Sequence, residues 1–139
     1  MGSLIDLAKM EVPEPVAVAE GEYPLQIIKT TDHLVEEGTQ YNSGREGVDV
    51  LIEITNDENA KLVMHRVFQD KEGDDQKSIE RYARQFQQFM AGFGITTEEE
   101  VKDSQSWIGK TADAILKLTP GDDEYPEEKN EIKRFVKRA

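Results

Sequence analysis

Two tyrosines sit four residues ahead of a base in polar connecting stretches, Tyr41 before Arg45 and Tyr125 before Lys129. An aromatic ring beside a cation suits an unpaired nucleotide: the base stacks on the ring for about 1–3 kcal/mol while the cation neutralises a phosphate. Lys61 and His65 fall on one face of an alternating segment, Arg66 interrupts the other face, and Lys133 and Arg134 lie in a basic C-terminal run. Together with Lys129 these nine residues are the expected nucleic-acid contacts. The bland reading of each is an ordinary solvated side chain on a strand or loop.

Other chemistries find less support. The chain has no cysteine, which removes disulfides, thiolate nucleophiles and cysteine-ligated metal sites and points to a reducing, cytoplasmic setting. His33 and His65 stand alone, without HExxH or another paired spacing, so zinc is not expected. Gly109-Lys110-Thr111 lacks the upstream glycine of a phosphate-cradling loop, and no GxGxxG turn or nucleophile motif is present. Acidic residues are abundant but fall in connections that give a two-metal nuclease no fixed geometry. The expectation is a non-enzymatic protein without metal or cofactor.

Charge narrows the partner. The 139 residues carry 29 acids and 17 Lys or Arg, a net charge of −12, so a uniformly basic coating of duplex DNA or an anionic bilayer is excluded. The last eleven residues hold five cations against Glu131 alone, a net of +4, leaving −16 on the rest. The acids cluster at 36–37, 70–75, 98–103 and 122–128, which read as solvated connections. No stretch approaches the roughly 18 apolar residues of a membrane helix, and the first ten residues lack a secretory leader's apolar run.

The elements that must position these residues follow from periodicity. Residues 1–20, with Pro13 and Pro15, read as a partly ordered arm, and 21–139 as one domain. Tyr23, Leu25 and Ile27 alternate with polar positions in a first strand at 22–32, which a glycine-bearing loop joins to the next strand. Val48, Val50, Ile52 and Ile54 mark a second strand, and 61–68 a third, forming a hairpin across the polar turn at 56–59. In the third strand Leu62, Met64 and Phe68 are expected to face the core, with Lys61, Val63, His65 and Val67 opposite. Ile79, Tyr82, Ala83, Phe86, Phe89, Met90 and Phe93 recur at helical spacing and predict a buried stripe on a helix at 76–92, opened by Asp74 or Asp75 and closed by Gly92 or Gly94. Thr97 with the acids that follow predicts a short helix ending near Asp103. Trp107 reads as core, 109–119 as a fourth strand, and 130–136 as a fifth with Ile132, Arg134 and Val136 on one side.

Three strands, a helix and two more strands give the element order of the OB-fold, a five-stranded Greek-key barrel that is mainly β with one major helix plugging an end. Ligand-binding barrels of this kind use strands two and three with the loops joining strands one to two and four to five, the loops that hold Tyr41, Arg45 and Tyr125. The runs GEYPLQIIKT at 21–30, GVDVLIEI at 47–54, RYARQFQQFMAGFGI at 81–95, WIGKTADAIL at 107–116 and YPEEKNEIKRF at 125–135 resemble, in order, small bacteriophage-encoded OB-fold single-stranded DNA-binding proteins. That resemblance covers 21–136 and implies sequence-tolerant binding of single-stranded DNA in phage DNA replication or recombination, in the bacterial host cytoplasm, with replication or recombination proteins as further partners. It also implies a departure, since several such proteins end in an acidic recruiting tail and this chain ends in KRFVKRA. The competing expectation is a protein-binding OB module, an adaptor that reads a basic partner through its acidic loops.

Overall fold

The computed structural model describes residues 3–34, 44–123 and 126–136. In chain order the elements are α1 (Leu4–Lys9), β1 (Gly21–Leu34), β2 (Glu46–Ile54), β3 (Val63–Phe68), α2 (Gln76–Phe93), α3 (Glu98–Lys102), a 3₁₀ turn (Ser104–Trp107), β4 (Thr111–Thr119) and β5 (Lys129–Phe135). The strands form one antiparallel sheet in the order β3-β2-β1-β4-β5, and it curls until β3 and β5 approach, giving the nearly closed barrel expected of an OB-fold.

Closure depends on β1, whose first half pairs with β4 and whose length from Leu25 onward pairs with β2. The ladder slips between Ile27 and Lys29, leaving Ile28 as the extra residue of a bulge. A bulge bends its strand and increases the local twist, which lets one strand serve two sides of a barrel.

The core follows the alternation in β1, β2 and β4: Leu25, Ile27, Val50, Ile52, Ala112, Ala114 and Leu116 are all essentially inaccessible. The alanines leave room for the aromatic layer contributed from outside the sheet by Phe89, Phe93 and Trp107, each 3% exposed or less. Removing such side chains from water contributes roughly 1.5–3 kcal/mol apiece. Trp107 is therefore core, as expected, and its indole Nε1–H donates to the Glu100 carbonyl at 2.7 Å. Helix α2 begins where the Asp75 carboxylate accepts the Ser78 N–H at 2.8 Å and ends at Gly94, whose φ of 72° is the left-handed closure a glycine permits. Gly92 has a different purpose: a Cβ there would collide with the Phe135 ring, so its absence lets β5 press against the helix.

Two strand faces differ from expectation. In β3 the inward residues are Val63, His65 and Val67, while Leu62 and Met64 are about half exposed. The register decides this, because Val63 and His65 stand opposite the buried Ile52 and Val50 of β2, and a one-residue difference moves every side chain to the other face. In β5 the ladder slips opposite Ile115 and Leu116, so Phe135 joins Ile132 against the core while Arg134 is exposed.

The segment ahead of β1 belongs partly to the barrel. Val16 bridges Ala60 in parallel, its N–H donating to the Asn59 carbonyl at 2.9 Å and its carbonyl accepting from Lys61 N–H at 2.8 Å. The buried Asn130 side chain meets both backbone groups of Val18, each at 2.8 Å. Residues 16–18 thus bridge the approaches to β3 and β5.

Candidate nucleic-acid interface

Beyond that bridge the seam between β3 and β5 stays open, and α2 forms its far wall. The opening is a groove of about 440 Å³ whose lining includes His65, Arg66 and Phe68 from β3, Tyr82, Gln85 and Gln88 from α2, and Lys133 and Arg134 from β5. A second groove of about 630 Å³, lined by Leu62, Met64, Lys129 and Glu131, continues it along the outer side. His65, Arg66 and Ile132 line both, so the two are ends of one furrow.

Most charged groups of the furrow are held by a neighbour. Arg66 points outward from β3 beside its cross-strand partner Asp49, and its Nε donates to Asp49 Oδ1 at 2.9 Å. His33 Nδ1 approaches the other oxygen of Asp49 at 3.3 Å. Lys133 Nζ lies 3.6 Å from Glu20 Oε1 with both side chains more than half exposed, a pair that solvent largely screens. The Arg134 guanidinium has no hydrogen-bond or ion-pair partner among the described residues. Lys129 shares Glu131 with Lys117, at 3.3 and 3.2 Å. Partial burial works against the Glu131 carboxylate, but the hydrogen bonds from both lysines outweigh it and hold its pKa below the ordinary value.

Aromatic surface lies next to these cations. Phe68 meets Tyr82 edge to face, with centroids 6.5 Å apart, and both rings are half-buried on the groove wall. Gln85 and Gln88 present amides, and Arg81 and Arg84 occupy the positions four residues earlier on the same helix, so they flank the furrow. Cations, amide donors and ring surface within one open channel can neutralise phosphates and offer bases a stacking surface.

The structure brings five of the nine expected residues to the furrow: His65, Arg66, Lys129, Lys133 and Arg134. His65 reaches it differently from expectation. Its ring stacks on Phe89 at 5.4 Å with an interplanar angle of 6°, and burial pushes its pKa below 6.5, so it is a wall of the furrow and not a solvent-side cation. Arg45 is placed away from the furrow. It is 6% exposed, held by Asp74 through two hydrogen bonds of 2.8 Å, donating to the Gln69 carbonyl at 2.9 Å, with Tyr82 4.5 Å beneath it. That hydrogen bonding raises the Arg45 pKa and holds the Asp74 carboxyl well below the usual carboxylate range. Arg45 therefore ties the entrance of β2 to the start of α2. Lys61 is occupied elsewhere, its Nζ lying 3.3 Å from Glu127 and 3.1 Å from the Glu128 carbonyl. Tyr41 and Tyr125 lie outside the described residues.

Phe68, Tyr82, Gln85 and Gln88 were not anticipated as site residues. Tyr82 read as part of the buried stripe, and only the polar positions 85 and 88 beside it on the helix signalled a second use for that edge. Of the acids placed in solvated clusters, Asp74 and Glu100 are shielded and paired, Asp74 with Arg45 and Glu100 with Lys110 at 2.5 Å. The Lys110 hydrogen bond, with others from Thr96 and Thr97, brings Glu100 down to about 2.

Among the described residues no group of three or more His, Asp or Glu is placed to hold a metal ion, and no helix is long and apolar enough to cross a membrane. No protein-family model matches the sequence, and no curated protein matches it either.

Proposed function

We propose that the protein is a non-catalytic, sequence-tolerant single-stranded DNA-binding protein acting in phage DNA replication or recombination, and that the strand lies in the furrow between β3 and β5 against α2. The observation that carries the reading is the convergence of Arg66, Lys133 and Arg134 on one open groove beside Phe68 and Tyr82, in a chain whose net charge is −12. The acidic exterior elsewhere confines phosphates to that channel and disfavours wrapping of a duplex. Discrimination among bases is not expected, because ring faces and cations accept any sequence.

Anisotropy titration of a fluorescent oligo-dT, with a duplex competitor, tests this. With Arg66, Lys129, Lys133 and Arg134 contacting phosphates, the affinity should fall with a log–log salt slope near −3, from about −0.7 per contact. Arg66→Ala with Arg134→Ala should weaken binding at low salt and reduce the slope by about 1.4. Salt-independent binding, or an unchanged slope in the double variant, would place the strand elsewhere. No binding at low salt would instead favour the adaptor reading.

A further inference from the structure

The least explained segment lies ahead of the barrel. Helix α1 is closed at its start by a complete capping box, with Asp6 N–H donating to Ser3 Oγ at 3.2 Å and Ser3 N–H to Asp6 Oδ2 at 3.3 Å. It nevertheless buries nothing: Leu4 is 85% exposed, Ile5 65%, Leu7 60% and Met10 61%. A six-residue helix is too short to hold itself together in water, and four large apolar side chains on one short arm form a patch that soluble chains seldom leave open.

The arm's own barrel is poorly placed to cover it. Because Val16 runs parallel to Ala60, the chain upstream of Val16 heads back over the β2–β3 turn and away from the furrow. Residues 3–15 carry Asp6, Glu11 and Glu14 against Lys9, a net of −2. The furrow offers the opposite charge in Arg66, Lys133 and Arg134, and apolar walls in Phe86 and Phe135.

We infer that the arm of one copy docks into the furrow of a second copy, its leucines against the apolar walls and its acids against the cations. Reciprocal docking gives a two-fold dimer in which each copy contributes the same arm and the same furrow. The inference shares the furrow with the proposed function but does not require it, because the association is measured without nucleic acid.

Sedimentation velocity of the full chain over a concentration series tests it. The native protein should associate reversibly, more weakly at high salt. Leu4→Ser with Leu7→Ser, at exposed positions where folding is not at stake, should weaken association by at least about tenfold, and Arg134→Glu should do the same from the furrow side. Mixing the two variants should restore association in part, since the mixed pair keeps one of the two arm–furrow contacts intact. A monomer at every concentration, association that survives either variant, or a mixture that associates no better than either variant alone would each overturn the inference. If the native protein is monomeric yet binds oligo-dT, this inference alone fails; if it associates as described but binds no oligo-dT, the proposed function alone fails.

Discussion

Acidification through the range in which histidine takes up a proton should destabilise the barrel, and His65 should be the reason. Its ring lies within the aromatic layer, stacked on Phe89, and burial lowers its pKa from 6.5. The unfolded chain therefore binds a proton that the folded chain resists. Stability is complete above the unfolded value and declines as the pH falls below it, until the folded value is passed. One proton limits the slope to about 1.4 kcal/mol per pH unit, a substantial fraction of the roughly 5–15 kcal/mol that holds a domain together. Carboxylates act in a lower window. Glu100, held at about 2 against its ordinary 4.5, contributes stability that is lost only as the pH drops between those values. Urea unfolding between about pH 8 and pH 5 stays above the carboxylate window, and comparison with His65→Phe, which replaces the ring and removes its ionisation but leaves His33 beside Asp49, isolates the His65 contribution. Across that interval the native protein should lose stability relative to the variant. Native and His65→Phe profiles that change in parallel refute the reasoning.

Two further substitutions separate architecture from binding. Arg45→Ala should lower the urea midpoint, because the Gln69 carbonyl loses that donor and Asp74 keeps the Lys71 N–H but not the guanidinium, and it should change oligo-dT affinity by less than about twofold since Arg45 is not among the furrow's lining residues. A large affinity loss in a fully folded variant would return Arg45 to the interface. Gly92→Ala should cost about 1–3 kcal/mol by forcing the Phe135 ring off the helix, measured by urea unfolding, and a neutral result would mean that β5 can shift freely.

The fold was readable where one face of an element is buried and the other is not. The alternation in β2, the apolar stripe of α2 and the acid–threonine signals at helix starts mark elements whose periodicity has a single interpretation. β3 failed that condition, because Leu62 and Met64 compete with Val63 and Val67 for the core, and only pairing with β2 breaks the tie. Arg66 carried the missing signal: a cation on the supposed core face indicated that the faces were exchanged. The slip in β5 leaves no local mark, since its bulge arises from pairing with β4. The burial of Arg45 is hidden from the sequence for a related reason. A base in a glycine-bearing loop appears free until the fold brings a carboxylate 29 residues away against it. The furrow needed three distant segments to meet, so its cations were legible singly and its rings were not.

Photocrosslinking tests the central claim most directly. An oligo-dT bearing bromodeoxyuridine would be irradiated in complex with the native protein and the adducts located by peptide mass spectrometry. Adducts on Phe68, Tyr82 or the 129–135 segment are the predicted result. Adducts confined to the outer faces of β1 and β4, or their absence under conditions where the oligonucleotide is bound, would contradict a strand lying between β3 and β5.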